Sequence, residues 1–127
     1  MSVLGLGVDI VEIARLATAI ERHGESCLDR VFLKSERAYC AQAGVPGRCY
    51  AARFAAKEAV AKAFGTGIGA QLGWHDIEVC RAESGAPSVV LHGTGAETAA
   101  RLGIREVRVS LSHSEHYAVA NAIALGG

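Results

Sequence analysis

Apolar residues recur along this chain at two periods, and the change from one to the other marks its elements. Arg48–Phe64, RCYAARFAAKEAVAKAF, holds seven alanines in seventeen positions, with Tyr50, Phe54, Ala61 and Phe64 at helical spacing. Intrinsic propensity and burial agree there on a helix. Arg53, Lys57, Glu58 and Lys62 interrupt its apolar pattern, and Glu58 precedes Lys62 by four, the order that favours a pair on one face. Val3–Ile10, VLGLGVDI, alternates glycine with aliphatic residues. This predicts a strand to which something approaches closely at Gly5 and Gly7. Asp9 falls near its end, where an acid ordinarily caps the next helix. Val11–His23 predicts that helix, with Ile13, Leu16, Ala17 and Ile20 on one side, Arg15 and Arg22 sharing a face, and Gly24 as its stop.

Cys27–Phe32 reads as a short helix or turn, and Ser35 as the N-cap of another running to about Gln42. Gly44, Pro46 and Gly47 break the chain before the alanine-rich helix. Gly65–Gly69, GTGIG, follows that helix, and its backbone N–H groups could turn toward an anion. A helix stop explains Gly65 equally well, and the loop trails a helix where a P-loop would open one. Asp76–Cys80 and Ser88–Leu91 predict a hairpin around Ser84–Pro87, and Gly95–Leu102 a short helix closed by Gly103. Val107–Ser112 and Tyr117–Leu125 alternate as two further strands joined through Ser114–His116. The sum is one α+β domain over residues 1–127. It has an antiparallel sheet with a long central helix and shorter helices packed on one face.

Composition changes this picture in two places. Half of the 127 residues are apolar and 6% aromatic, so the core is built from small aliphatic side chains and buries about two thirds of the unfolded surface. No apolar run reaches the roughly 20 residues of a membrane span and no leader is apparent, so the expected setting is soluble and cytoplasmic. Charge is the second place. The chain sums to zero, which argues against a general nucleic-acid binder, yet Arg48–Phe64 alone carries +3. The expectation is a single wall that neutralises an anion. The four cysteines, Cys27, Cys40, Cys49 and Cys80, stand 13, 9 and 31 apart with no C-x-x-C pair. They are read as reduced, partly buried thiols. His113 and His116, three apart at a strand end, would not converge on a metal.

Three blocks together carry a resemblance: GLGVDIVEI at Gly5–Ile13, RFAAKEAVAKAFGTGIG at Arg53–Gly69 and VSLSHSEHYAVANAI at Val109–Ile123. In this order they resemble the bacterial holo-(acyl-carrier-protein) synthase family, the small class of 4′-phosphopantetheinyl transferases. SER at Ser35–Arg37 and DIEV at Asp76–Val79 extend the likeness nearly end to end. The resemblance implies transfer of the 4′-phosphopantetheine arm of coenzyme A to a serine of apo acyl carrier protein. Adenosine 3′,5′-bisphosphate is released, and the reaction serves fatty acid biosynthesis. It also implies homotrimers with an active site at each subunit boundary. By motif, Asp9 and Glu58 hold magnesium, and Lys62 stabilises the phosphates or the leaving group. Gly65, Thr66, Gly67 and Pro87 contact the nucleotide. Arg53 and His113 meet the 3′-phosphate, His113 from a neighbouring subunit, while His116 is structural. Arg15, and more weakly Arg22, face the acidic carrier protein. One departure stands out: Gly85-Ala86-Pro87 lacks the lysine that many relatives carry in this turn.

The chemistry is consistent with that likeness on its own terms. Magnesium takes one or two protein carboxylates and fills its remaining positions with water and phosphate oxygens. Displacement at a diphosphate needs charge neutralisation more than covalent help. A base for the serine is wanted, and Glu58 or a magnesium-bound water could each serve. Two other readings fit the same residues: a trimeric nucleotide- or coenzyme-A-binding module without turnover, and a magnesium-dependent diphosphate hydrolase with water as acceptor.

Overall fold

A computed structural model describes all residues, 1–127. The opening strand β1 (Ser2–Glu12) leads into α1 (Ile13–His23), α2 (Glu25–Val31) and α3 (Lys34–Ala41), and these into the central helix α4 (Pro46–Phe64). A 3-10 turn (Trp74–Asp76) precedes the hairpin β2 (Ile77–Arg81) and β3 (Pro87–Leu91). Then come α5 (Gly93–Leu102), β4 (Ile104–His113) and β5 (Tyr117–Gly126). All pairing is antiparallel, as expected. The strands form two ladders where one was anticipated: a three-stranded sheet in the order β1-β5-β4, and the β2-β3 hairpin by itself.

The core lies between α4 and the three-stranded sheet. Ala55, Ala56, Ala59, Val60 and Ala63 meet Ala120, Ala122 and Ala124 of β5, all buried. Small side chains on both surfaces let helix and sheet approach closely, and two glycines make the approach closer still. A Cβ at Gly5 would sit 1.8 Å from Ala63 O, and one at Gly7 1.8 Å from Ala59 O. Strand β1 therefore lies backbone to backbone against α4, and residues ascending the strand meet residues descending the helix.

Several local readings differ from expectation. Strand β1 runs to Glu12, the N-cap of α1, so Asp9 lies inside the strand and caps nothing. The N-cap of α3 is Leu33, whose N–H donates to Glu36 Oε1 at 2.8 Å. Ser35 lies within the helix, its hydroxyl drawn instead to Glu78 Oε2 at 2.7 Å. Pro46 begins α4 two residues before the predicted start, where its missing N–H costs nothing. Cys40 and Cys49, read as thiols, are joined by a disulfide across a Cα separation of 5.4 Å, while Cys27 and Cys80 are free. The corner between α3 and α4 brings the two sulfurs together, which sequence spacing alone does not reveal. No helix is long and apolar enough to cross a membrane.

Candidate functional site

The close approach of β1 to α4 decides what Asp9 meets. Gly5, Gly7 and Asp9 share one face of β1, so the strand that touches α4 at Ala63 and Ala59 delivers its acid beside the same helix. There Lys62 Nζ donates to Asp9 Oδ1 at 3.0 Å and to Val8 O at 2.9 Å. The expected Glu58–Lys62 pair is thus replaced by Lys62–Asp9. Glu58 joins the group from the helix side: Asp9, Glu58 and Lys62 line one cleft of about 660 Å³. Burial pushes the Glu58 carboxyl up, the Asp9 charge pushes it further, and Lys62 opposes both. Two acids and one cation therefore share an electrostatic environment at the mouth of an apolar cleft, whose walls include Phe54, Leu16, Ile10 and Tyr117.

Such a pair of carboxylates fits a hard, hydrated cation. Nowhere do three or more His, Cys, Asp or Glu side chains gather as a metal cage. Magnesium needs no such cage, because it takes two carboxylates and leaves positions for water and phosphate. Sequence reasoning did not single out Tyr117 or Leu16 as walls of the cleft. Tyr117 pairs with Glu12 across the β1–β5 ladder, a long-range register that no local signal carries.

The remaining candidates fall elsewhere. Arg15 and Arg22 line one shallow groove on α1, as their seven-residue spacing predicts, and Arg15 also borders the Asp9 cleft. The anion-neutralising wall along α4 is not formed, because its cations divide between faces. Lys57 is completely buried and donates to Glu36 Oε1 at 2.7 Å, Trp74 O at 2.9 Å and Ile77 O at 2.8 Å. Arg53 is 3% exposed, donates through Nη1 to Cys49 Sγ at 3.2 Å and lies over the Tyr39 ring. Burial lowers the pKa of both groups. Arg53 does not border the cleft that holds Glu58.

The glycine loop also turns inward. Gly65 adopts left-handed φ at the C-cap, its N–H bonded to Lys62 O, while the Gly67 N–H returns to Ala61 O. Two of the expected backbone donors are thereby engaged by the helix itself, and the Thr66 hydroxyl donates to Gly67 O. His113 ends β4 exposed, and Pro87 opens β3 in the separate hairpin. Neither joins Asp9 within one copy of the chain. His116 accepts the Ile13 N–H through its backbone oxygen, in keeping with a structural place.

Comparison with known proteins agrees with this architecture. The sequence signature of the 4′-phosphopantetheinyl transferase superfamily matches residues 5–122. A holo-(acyl-carrier-protein) synthase from Koribacter versatilis is 46% identical over 121 residues, covering 95% of this chain and 97% of that one. The crystal structure of the corresponding synthase from Neisseria meningitidis superposes with a TM-score of 0.92 at 31% identity, covering 98% of this chain and 99% of the other. The Helicobacter pylori synthase, in complex with coenzyme A, superposes with a TM-score of 0.85 at 31% identity, over 94% of this chain and 99% of that one.

Proposed function

The chain belongs to the 4′-phosphopantetheinyl transferase superfamily, and from that premise we propose that it transfers the phosphopantetheine arm of coenzyme A to a serine of apo acyl carrier protein, with magnesium, in support of fatty acid biosynthesis. The observation that carries the proposal is the meeting of Asp9, Glu58 and Lys62 in one cleft. A relative of the same fold is described in complex with coenzyme A, which supplies the donor.

Asp9 and Glu58 would hold the magnesium ion, whose charge when bound offsets that of the diphosphate. Lys62 keeps half its side chain exposed while its ammonium reaches Asp9, so it can carry positive charge to the leaving oxygens without moving the backbone. The serine hydroxyl needs a proton acceptor, and Glu58 is the carboxylate this chain places in the cleft for that role, directly or through a water that the ion would hold. The arginines of α1 present a cationic groove beside the cleft, where an acidic carrier would be steered and held in register.

The proposal includes a homotrimer. Leu6, Ile10 and Val8 are 69%, 65% and 54% exposed on the outer face of β1, an apolar strip without an intramolecular partner. Covering it with a second copy would bring foreign residues toward the cleft, which gives His113 and the turn at Pro87 their route to a nucleotide spanning two subunits, whereas Arg53, buried at the corner of α3 and α4, has none. Light scattering checks the assembly: a monomer mass at micromolar concentration would remove the trimer from the proposal.

The reaction is tested by incubating the protein with coenzyme A, magnesium and apo carrier, then weighing the intact carrier. A gain of one phosphopantetheine supports transfer. Unmodified carrier with cleaved coenzyme A would indicate hydrolysis, and unmodified carrier with intact coenzyme A would indicate binding alone. Glu58→Ala is expected to abolish the gain, and a wild-type rate in that variant would withdraw the metal assignment.

A further inference from the structure

The corner between α3 and α4 holds chemistry that the proposed transfer does not use. Cys40, in the last turn of α3, is fully buried, and Cys49 stands half-buried in the first turn of α4, bridged to it. One turn further, the Arg53 guanidinium donates to Cys49 Sγ at 3.2 Å. That side chain is 3% exposed, its Nε has no partner, and it stacks 4.2 Å from the centre of the Tyr39 ring. Arg81 approaches the same ring at 5.8 Å. Glu36, whose charge reaches Arg53, already has its oxygens engaged by Lys57 and by the N–H groups of Leu33 and Val79.

The corner therefore buries positive charge with no counter-ion of its own. A thiolate at Cys49 is the form such a place stabilises, through the adjacent guanidinium and the N-terminal turn of a 19-residue helix. Cys40 lacks both the cation and the exposure. Of the two residues only Cys49 is partly exposed.

We propose that Cys40 and Cys49 form a reversible thiol–disulfide exchange pair for low-molecular-weight disulfides, with Cys49 as the entry sulfur and Cys40 as the resolving one. The Cys49 thiolate attacks one sulfur of RS–SR, forming Cys49–S–SR and expelling RS⁻. Cys40, its proton passed to that RS⁻, then attacks the Cys49 sulfur, which closes the bridge and expels the second RS⁻; solvent supplies its proton. Two protein thiols are oxidised while one RS–SR is reduced to two RSH, and the reverse sequence opens the bridge. Closing it ties α3, which carries Glu36, to α4, which carries Lys57, so the exchange sets the stability of that corner.

The test equilibrates the full chain in glutathione buffers of graded oxidised-to-reduced ratio, then quenches, alkylates and weighs it. Two alkylated cysteines, Cys27 and Cys80, are expected at the oxidising end and four at the reducing end. The melting temperature should follow the same transition by on the order of 5–10 °C. Cys40→Ser leaves Cys49 as a free thiol, and its alkylation midpoint should lie at least about one pH unit below those of Cys27 and Cys80 in the same molecule. Adding Arg53→Gln should return that midpoint toward the ordinary value near 8.5. Four reactive thiols at every glutathione ratio, or a Cys49 midpoint no lower than its neighbours', would overturn the proposal. Should Arg53→Gln fail to fold, the Cys40→Ser comparison decides alone.

Discussion

Helix α4 makes the same ionic bond twice, on two of its faces, with different consequences. Lys57 and Glu36 pair at 2.7 Å with neither side chain exposed, whereas Lys62 and Asp9 pair at 3.0 Å with side chains 50% and 18% exposed. In the buried pair every bonding position is taken: three acceptors meet Lys57, and both Glu36 oxygens also receive backbone N–H groups. Such a hub cannot exchange partners with a ligand. It fixes how α4 is rotated against α3 and β2, and so which way Glu58 and Lys62 face. In the open pair Asp9 keeps lone pairs free, Lys62 keeps a proton free, and Glu58 waits beside them. One pair builds the site, and the other is available to work in it.

The sharpest way to break this contrast is to remove one lysine at a time. Lys57→Met should cost about 3–5 kcal/mol in chemical denaturation, because it strands the Glu36 charge and two carbonyls in the core. The double variant Lys57→Met/Glu36→Gln should cost less than the two singles added together, since the paired loss removes the uncompensated charge. Lys62→Ala should do the reverse. Its stability change is expected within about 1 kcal/mol, as for a partly exposed ion pair. Transfer to the carrier should fall by about 10²–10³ as charge stabilisation is lost. If Lys62→Ala unfolded the chain and Lys57→Met merely slowed it, the division between the faces would be reversed.

Gly7→Ala is a smaller disturbance with a diagnostic pattern. Its added methyl meets Ala59 O, so strand and helix must part at the point that delivers Asp9. A cost of about 1–3 kcal/mol is expected. The transfer rate should drop further than the folded fraction explains, while magnesium affinity weakens. A fall in rate that only tracked the unfolded fraction would mean the glycine serves packing and does not position the acid.

These residues also show what a sequence makes legible. The alternating glycines of β1 and the alanines of α4 announce a close contact, whereas Asp9, Glu58 and Lys62 are legible only through the motif likeness that names them together. Lys57 defeats a local reading because lysine ordinarily remains in water, and only Glu36, twenty-one positions away, shows why this one does not. Ser35 favours a cap by residue type, but Glu78 takes its hydroxyl through a contact 43 residues distant. The Cys40–Cys49 bridge and the split into two sheets depend likewise on how the chain turns corners. Local preference governs the elements, and long-range partners decide the exceptions.

The finest separation of the two faces lies in how stability responds to pH. The folded Glu58 carboxyl titrates above its unfolded value, first from burial and then from Asp9. Between the unfolded value near 4.3 and that raised one, the folded chain holds the proton more tightly, so stability falls as pH rises through the window. At neutral pH the ionised acid burdens the fold fully. Glu58→Gln should therefore be slightly more stable than wild type at pH 7, with the advantage vanishing near pH 4, as denaturation at the two values would show. Magnesium should remove the difference by stabilising the wild type and not the variant, since the cation offsets the crowding of Asp9 and Glu58. A variant less stable at pH 7, indifferent to the ion, would instead place Glu58 with Lys57 among the residues that only hold the helix.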